Sequence, residues 1–285
     1  MTEAKSVSVV IPVYNAREHL DDLLSELVRQ DFQGEWEIVV ADNGSTDGSS
    51  ELVERRRPEL PPVRFVDASA QRGAAYARNV GADHANGDLL LFCDADDLVS
   101  QGWVRHMAEA ANGGAGLLLC SDDVLDNQGS WRPPRKRIDR GSFSFLPWGR
   151  GTCIGATKEA FDHVDGFDTD LLTGQDVDFC WRVQLAGFRC ELVPDAVAYY
   201  RLRATPRALS RQQFRFGCAT VVLHKRFRLE GKPKPGLRQV ARGYMWSLTR
   251  LPFLLSSRRR HIWIILTMQR LGRLWGTVRY RVWYP

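Results

Sequence analysis

Short apolar runs alternate with amphipathic segments through the first half of the chain. Residues 7–13 form a valine-rich apolar run, and 18–30 places four leucines at helical spacing. The same alternation predicts strands at 36–41, 63–66, 89–93 and 117–120, and helices at 49–57, 74–85 and 101–111. Strand and helix crossover units of this kind build a mostly parallel sheet with helices on its faces. The pattern therefore predicts an α/β fold.

The pattern changes after the last of these strands. Residues 127–151 combine glycine, proline, arginine and tryptophan, which predicts a long loop. A loop of that length is often a lid or a binding loop, but a solvated surface excursion is an equal alternative. A helix is predicted at 176–186 and a strand at 190–200, interrupted at Pro194. Helices dominate from 207 onward.

Charge divides the chain near residue 200. Residues 1–200 hold 19 lysines and arginines against 33 acidic residues, whereas 201–285 hold 20 against the single acid Glu230. The overall net charge of +5 hides this polarity. A change of role near residue 200 follows, so we expect one domain at 1–204 and a basic, tryptophan-rich helical extension at 205–285.

Composition limits the class of protein and its compartment. A chain with 44% hydrophobic and 26% charged residues is typical of a globular protein. Its six cysteines include no C-x-x-C pair and no zinc-type spacing, which favours reduced thiols. The N-terminus does not resemble a secretory signal, and the apolar run 262–268 is too short to cross a bilayer. We expect a cytoplasmic protein.

Acidic residues follow two of the predicted strands. Asp42 comes after the second strand, and Asp94, Asp96 and Asp97 come after the run 89–93. Ligands of doubly wound sheets bind beyond the carboxyl ends of the strands, and clustered carboxylates suit Mg²⁺ or Mn²⁺. The alternative is that the three aspartates cap the helix near residue 101. The chain has neither a glycine-rich dinucleotide loop after its first strand nor a P-loop, which argues against ordinary NAD and P-loop domains.

Five segments together resemble the family 2 glycosyltransferases, whose fold is GT-A. They are Val7-Ser-Val-Val-Ile-Pro-Val-Tyr-Asn15, Ala41-Asp-Asn-Gly-Ser-Thr-Asp-Gly48, Arg72-Gly-Ala-Ala-Tyr-Ala-Arg-Asn-Val-Gly81, Gly87-Asp-Leu-Leu-Leu-Phe-Cys-Asp-Ala-Asp-Asp97, and Gly166-Phe-Asp168 with Gly174-Gln-Asp-Val-Asp-Phe-Cys-Trp-Arg182. The resemblance covers about residues 6–200. It implies a nucleotide-sugar-binding catalytic domain at 1–204 that performs inverting transfer with Mn²⁺ or Mg²⁺.

The resemblance also implies roles for matching residues. Asp42 would accept a hydrogen bond from the base, most often uracil, although an Asx turn is the alternative. Asp96 would coordinate the metal, and Asp176 would deprotonate the acceptor hydroxyl. The remaining residues implied to bind the donor are Pro12, Tyr14, Asn15, Arg78 and Asp94. For Arg78, a surface ion pair is the alternative.

Four positions depart from the family pattern or stay open. Gln175 stands where relatives have the first acid of a pair, and Tyr200 stands where they often have a metal-binding histidine. His224 is a substitute ligand, although a lone helical histidine is more often structural. Asp178 lies two residues from Asp176, and a solvated or capping role is favoured for it.

The extension suggests a partner. Its arginines and tryptophans suit an anionic membrane surface on the inner face of the membrane, with a lipid-linked acceptor. Packing against the catalytic domain and an oligomer interface are alternatives, and no nucleic acid is expected. Two rival functions stay open: a sugar-nucleotide nucleotidyltransferase, and a catalytically degenerate sugar-nucleotide-binding protein.

Overall fold

The computed structural model describes residues 6–125, 145–201 and 205–284. They form two compact units, one made of 6–125 with 146–201 and the other of 205–284. Most of the predicted loop 127–151 lies outside the described residues. The assignment of the two regions as catalytic domain and extension stays a prediction.

The first unit is built on one eight-stranded sheet. Its strands are β1 Val7–Val13, β2 Trp36–Asp42, β3 Val63–Asp67, β4 Leu89–Phe92, β5 Leu98–Val99, β6 Leu117–Leu125, β7 Ile154–Thr157 and β8 Cys190–Arg201. The strand order is β3-β2-β1-β4-β7-β6-β8-β5. β1, β2, β3 and β4 run parallel, whereas β7 is antiparallel to both of its neighbours. The sheet is therefore mixed, and the predicted α/β class is confirmed.

Helices cover both faces of this sheet. They are α1 Arg17–Val28, α2 Ser49–Arg56, α3 Ala74–Asp83, α4 Trp103–Asn112, α5 Lys158–His163 and α6 Gln175–Leu185. Alternate residues of a strand point to opposite faces. In β1, Val9 and Ile11 pack in one apolar core with the leucines of α1, while Val10 packs in a second core with α3 and α6. Burial on both faces explains why β1 is a continuous apolar run.

The predicted elements from 7 to 120 are confirmed to within two residues at most ends, but β6 is longer and three elements were missed. β5, β7 and α5 hold two, four and six residues, which is too short for a periodic pattern. The predicted interruption of β8 at Pro194 is also present. The pairing of β8 with β6 changes register between Val193 and Val197, which is a bulge.

The second unit is helical. It contains α7 Pro206–Phe227, α8 Leu237–Thr249, a 3-10 helix at Leu251–Leu255 and α9 Ser257–Tyr280. The segment between α7 and α8 contains Pro233 and Pro235, and the segment between α8 and α9 contains Pro252. α7 and α9 pack closely because Gly217 and Gly272 have no side chain, and a Cβ at either would overlap the backbone of the facing helix. Among the described residues, no helix is both long enough and apolar enough to cross a bilayer.

Candidate active site

The carboxyl ends of β1 and β2 bring the first group of predicted site residues together. In the parallel register, Pro12 pairs with Ala41 and Val13 with Asp42. Asn15, two residues after the end of β1, has φ 48°. Its Oδ1 accepts a hydrogen bond from the Thr46 N–H at 2.8 Å. Its side chain thus ties the loop after β1 to the loop after β2 and fixes the edge on which a nucleotide would lie.

Asp42 forms the Asx turn that was the alternative to base binding. Both of its carboxylate oxygens accept from the Ser45 N–H at 3.2 Å. A carboxylate has about four lone-pair sites, so this turn leaves acceptor capacity on both oxygens. The turn and a bond to a base are therefore compatible, and the role of Asp42 toward the nucleotide stays a prediction.

Tyr14 presents a ring at the same edge. It is 50% exposed, and the Arg72 guanidinium lies 4.5 Å from the ring centroid. Arg72 is itself exposed. An exposed aromatic ring with a cation on one face suits stacking against a planar base and contact with a phosphate.

Asn43 is a positioning residue that the sequence did not single out. It is buried, and its Nδ2 donates to the carbonyl oxygens of Ala68 and Gln71, the latter at 2.7 Å. Its Oδ1 accepts from the Gly73 N–H at 2.9 Å. Asn43 thereby holds the loop between β3 and α3 against the loop after β2. Its only signal in the sequence was a polar residue beside Asp42.

Arg78 and Asp94 form an ion pair at the next strand end. Arg78 lies on α3 and is 3% exposed, and its Nη2 donates to Asp94 Oδ1. Its Nε and Nη1 have no hydrogen-bond partner among the described residues. The predicted alternative of a surface ion pair is wrong, because the guanidinium is buried. Nε and Nη1, which carry three N–H donors in total, are thus left without an acceptor among the described residues.

The two remaining aspartates of this loop lie beside Arg201. Asp97 is buried, and its Oδ1 accepts from the Arg201 N–H at 2.9 Å, while Arg201 Nε donates to the Asp96 carbonyl at 3.0 Å. Burial raises the pKa of Asp97 well above its ordinary value, and the charges of Asp94 and Asp96 raise it further. None of them caps the next helix, since α4 begins at Trp103 without a side-chain cap.

The fit of this loop to a divalent cation rests on its charge. Three carboxylates lie within four residues, and Asp94 is paired with the buried Arg78. Among the described residues, no group of three histidine, cysteine or acidic side chains is arranged to hold a metal. The loop therefore fits an ion that takes few protein ligands, such as Mg²⁺ or Mn²⁺ completed by a diphosphate and water. Asp96 is the residue that would hold it.

Asp176 lies at the N-terminus of α6, directly after Gln175. Gly174 precedes them at φ 84°, a left-handed conformation that glycine adopts without strain. Burial raises the pKa of Asp176, the Val177 N–H and the Arg78 guanidinium lower it, and the charge of Asp94 raises it. These interactions bring Asp176 into the same electrostatic site as the Arg78–Asp94 pair, although 82 positions separate the two aspartates.

Asp178 is not solvated, so that prediction is wrong. It is 0% exposed and accepts from Arg182 Nε at 2.7 Å. The Arg182 guanidinium also donates to the carbonyl oxygens of Val164 and Gly166, the latter at 2.7 Å. Asn79 on α3 exchanges two hydrogen bonds with the Phe167 backbone, at 2.8 and 2.9 Å. Arg182 and Asn79, both missed by the sequence analysis, thus position the segment that leads to α6.

The candidate replacements for a histidine ligand have other contacts. Tyr200 lies on β8 with the Arg150 guanidinium 4.7 Å from its ring centroid. His224 belongs to the second unit, where it is buried and stacks on Tyr284 with ring centroids 4.5 Å apart. Burial and the charge of Lys232 lower the pKa of His224 to about 4. A structural role for His224 is therefore favoured.

Curated relatives resemble much of the chain. Glycosyltransferase AglE of Haloferax volcanii is 26% identical over 74% of this chain and 71% of its own length. The poly-β-1,6-N-acetyl-D-glucosamine synthase of Staphylococcus aureus is 26% identical over 75% of this chain and 54% of its own. An uncharacterised glycosyltransferase of Bacillus subtilis, YfnE, is 37% identical over 40% of this chain and 29% of its own length. The chain thus spans only part of these relatives.

Solved structures share the fold. The mannosyltransferase PcManGT of Pyrobaculum calidifontis, in complex with GDP-Man and Mn²⁺, has a TM-score of 0.73 at 20% identity and covers 96% of this chain and 88% of its own. S. aureus TarS in complex with UDP has a TM-score of 0.59 at 18% identity and covers 98% and 93%. The family model for glycosyl transferase family 2 matches residues 8–181. The chain therefore belongs to glycosyl transferase family 2, with the GT-A fold of its structural neighbours.

Proposed function

We propose that this protein is an inverting, metal-dependent glycosyltransferase that moves a sugar from a nucleoside-diphosphate sugar, with UDP as the favoured nucleotide, to an acceptor hydroxyl. The observation that carries the proposal is the buried Arg78–Asp94 ion pair at the carboxyl end of β4, whose charges act on Asp176 at the N-terminus of α6. One group able to take a proton thus shares a site with a buried cation that retains unused donors. Sugar transfer by direct displacement needs both.

Asp176 acts as the general base. It takes the proton of the acceptor hydroxyl while the hydroxyl oxygen bonds to the anomeric carbon and the bond from that carbon to the diphosphate breaks. Its raised pKa makes it a better proton acceptor than an ordinary aspartate. Attack opposite the leaving group inverts the anomeric configuration.

The donor is bound by the strand-end residues. Tyr14 and Asp42 contact the base, Pro12 and Asn15 shape the loop beside it, and Asp94 contacts ribose or sugar. UDP is favoured because the family resemblance assigns Asp42 to uracil, and TarS, a structural neighbour, has been solved with UDP and with UDP-GlcNAc. GDP-linked and dTDP-linked sugars are the alternative donors, and they should be tested beside UDP-linked sugars.

Charge on the departing diphosphate is met from two sides. Arg78 holds Asp94 through Nη2, and its Nε and Nη1, which have no hydrogen-bond partner among the described residues, are its groups for the diphosphate. Asp96 holds Mn²⁺ or Mg²⁺, which when bound supplies the positive charge that stabilises the leaving group. The Mn²⁺ in the PcManGT complex belongs to a neighbour with the same fold, and it supports the same class of ion here.

The acceptor belongs to a lipid-linked or cell-envelope glycan, or to a secondary metabolite. The basic second unit supports contact with an anionic membrane surface on the cytoplasmic side, since exposed apolar residues such as Leu248, Leu251 and Leu255 flank Arg250. Flotation of the full chain with anionic and neutral vesicles tests this contact. Leu255→Ser should reduce flotation with anionic vesicles, while Leu229→Ser, an equally exposed leucine of the same unit, should not; equal flotation of both variants contradicts the contact.

The central test is turnover of UDP-sugars with Mn²⁺, followed by UDP release. Asp176→Asn should lower kcat by about a thousandfold, within the range that general bases contribute. Its UDP affinity should stay within about twofold of wild type, because the amide keeps the shape of the side chain. Asp83→Asn, an exposed aspartate at the far end of α3, is the matched control and should keep full activity.

Three results would overturn parts of the proposal. Full activity in Asp176→Asn refutes its role as base, and UDP binding without turnover on any acceptor favours a degenerate binding protein. Pyrophosphate release from UTP and a sugar phosphate revives the nucleotidyltransferase. For the metal, Asp96→Ala should weaken UDP binding only when Mn²⁺ is present; equal loss without the ion contradicts metal coordination.

A further inference from the structure

A recess between α8 and α9 of the second unit concentrates positive charge. Its lining includes Gln239, Gly243 and Tyr244 from α8 and Arg270 and Arg273 from α9. Its volume is about 120 Å³, which is room for a group of several heavy atoms.

The positive charge of this recess has no acidic counterpart within the unit. Arg270 and Arg273 lie three positions apart on one helix, where like charges repel. Burial lowers the pKa of Arg270, and the charge of Arg273 lowers it further. Burial and Arg273 also lower the pKa of Lys232, to about 8. Across 205–285 the single acidic residue is Glu230, and it is exposed.

The recess is built rather than incidental. Arg270 Nη1 donates to Ser247 Oγ at 2.8 Å, and the Tyr244 hydroxyl donates to the Arg270 carbonyl at 3.0 Å. Gly243 makes room for this arginine, because a Cβ there would lie 2.8 Å from Arg270 Nε. Arg273 Nε is buried and has no hydrogen-bond partner in the part of the chain that the structure describes. A buried, unpaired N–H beside a fixed guanidinium is costly unless an acceptor binds there.

We infer that this recess is a binding site for a phosphate group, held by Arg270 and Arg273 and reached by the Gln239 amide. Guanidinium groups bind phosphate oxygens through paired charge-assisted hydrogen bonds, and the ligand's negative charge offsets the repulsion between the two arginines. The phosphate belongs either to a lipid headgroup or to a soluble phosphate ester. The site is separate from the sugar-transfer site proposed for the first unit and does not depend on it.

Isothermal titration of the full chain with inorganic phosphate tests the site. Arg273→Gln removes the charge and the unpaired N–H, and binding should weaken at least tenfold, as expected for loss of a charged hydrogen bond. Arg279→Gln removes the same charge from an exposed position of the same helix and should bind as wild type does. The first unit is unchanged in both variants, so phosphate bound there contributes equally.

A second variant tests geometry without changing charge. Gly243→Ala should displace the Arg270 side chain and weaken phosphate binding severalfold. Alanine is also about 1 kcal/mol better than glycine in a helix, so α8 should not lose stability. If both Arg273→Gln and Gly243→Ala bind phosphate and vesicles as wild type does, the site is refuted.

Vesicles separate the two sources of the phosphate. Flotation with phosphatidylglycerol vesicles that falls in Arg273→Gln but not in Arg279→Gln assigns the site to a lipid headgroup. Phosphate binding that depends on Arg273, with equal flotation of both variants, assigns it to a soluble ester. Stabilisation by UDP with Mn²⁺ should be unchanged in Arg273→Gln; if wild type itself shows no such stabilisation, the proposed transfer fails while the phosphate site stands.

Discussion

The two units of this protein treat buried charge in opposite ways. In the first unit, Arg78 is paired with Asp94 and Arg182 with Asp178. In the second, the Lys232 ammonium is buried and donates to the Tyr284 hydroxyl, and Arg270 donates to a serine hydroxyl. A buried pair holds structure in place, whereas uncompensated charge is relieved by a ligand or by loss of a proton. Buried charges of the first unit are thus paired with each other, whereas the arginines of the recess in the second unit are those for which we infer a phosphate ligand.

The largest expected effect comes from breaking a neutralised pair in the first unit. Arg182→Met leaves the fully buried Asp178 carboxylate without its cation and removes two donors to the segment before α6. The free energy of unfolding should fall by about 4 kcal/mol, as for other broken buried pairs. Urea denaturation measures it. Arg57→Met, which breaks the exposed pair with Glu54, is the control and should cost less than about 1 kcal/mol.

An intermediate effect is expected from the buried Lys232. Its folded pKa of about 8 lies below the unfolded value of 10.5, so the unfolded state binds more protons between these pH values. Stability should therefore rise with pH across that window, by about 1 to 2 kcal/mol between pH 7 and 9.5. Lys232→Met should lack this rise. Urea denaturation of both proteins at the two pH values decides it, and parallel curves would contradict the assignment.

The smallest expected effect is a displacement along the pH axis. The charge of Arg78 lowers the pKa of Asp176, so Arg78→Met should raise it. A general base works when deprotonated, hence activity is lost as pH falls through this pKa. The acidic limb of the kcat profile should move to higher pH in Arg78→Met. Arg29→Met changes an exposed arginine beside α1 and is the control. If the acidic limb does not move in Arg78→Met, the charge of Arg78 does not lower the pKa of Asp176.

Chemistry at the strand ends was largely predictable. A residue that directly follows a buried parallel strand must lie at the carboxyl edge of the sheet, so Asp42 and Asp94 were placed there by local pattern alone. The residues that position the site were not predictable in this way. Asn43 and Asn79 bond to backbone groups 25 and 88 positions away, respectively. The periodicity of hydrophobic residues along the chain carries no information about such distant partners.

Burial decided the roles that the sequence left open. A surface ion pair was the alternative for Arg78, and a solvated or capping role was favoured for Asp178, yet both side chains are buried because α3 and α6 pack against the same face of the sheet. Their cost of desolvation is offset by ion pairs that exist only in the folded chain.

The sequence by itself determined the order of strands and helices along residues 7–120 apart from the two-residue β5, the family, and the separation of negative from positive charge near residue 200, because each is carried by local composition or spacing. Only the tertiary structure decided which charges are paired, that Asp176 shares a site with Arg78 and Asp94, and that Arg270 and Arg273 line one recess. Electrostatic energy depends on distance and burial, and both are properties of the folded chain.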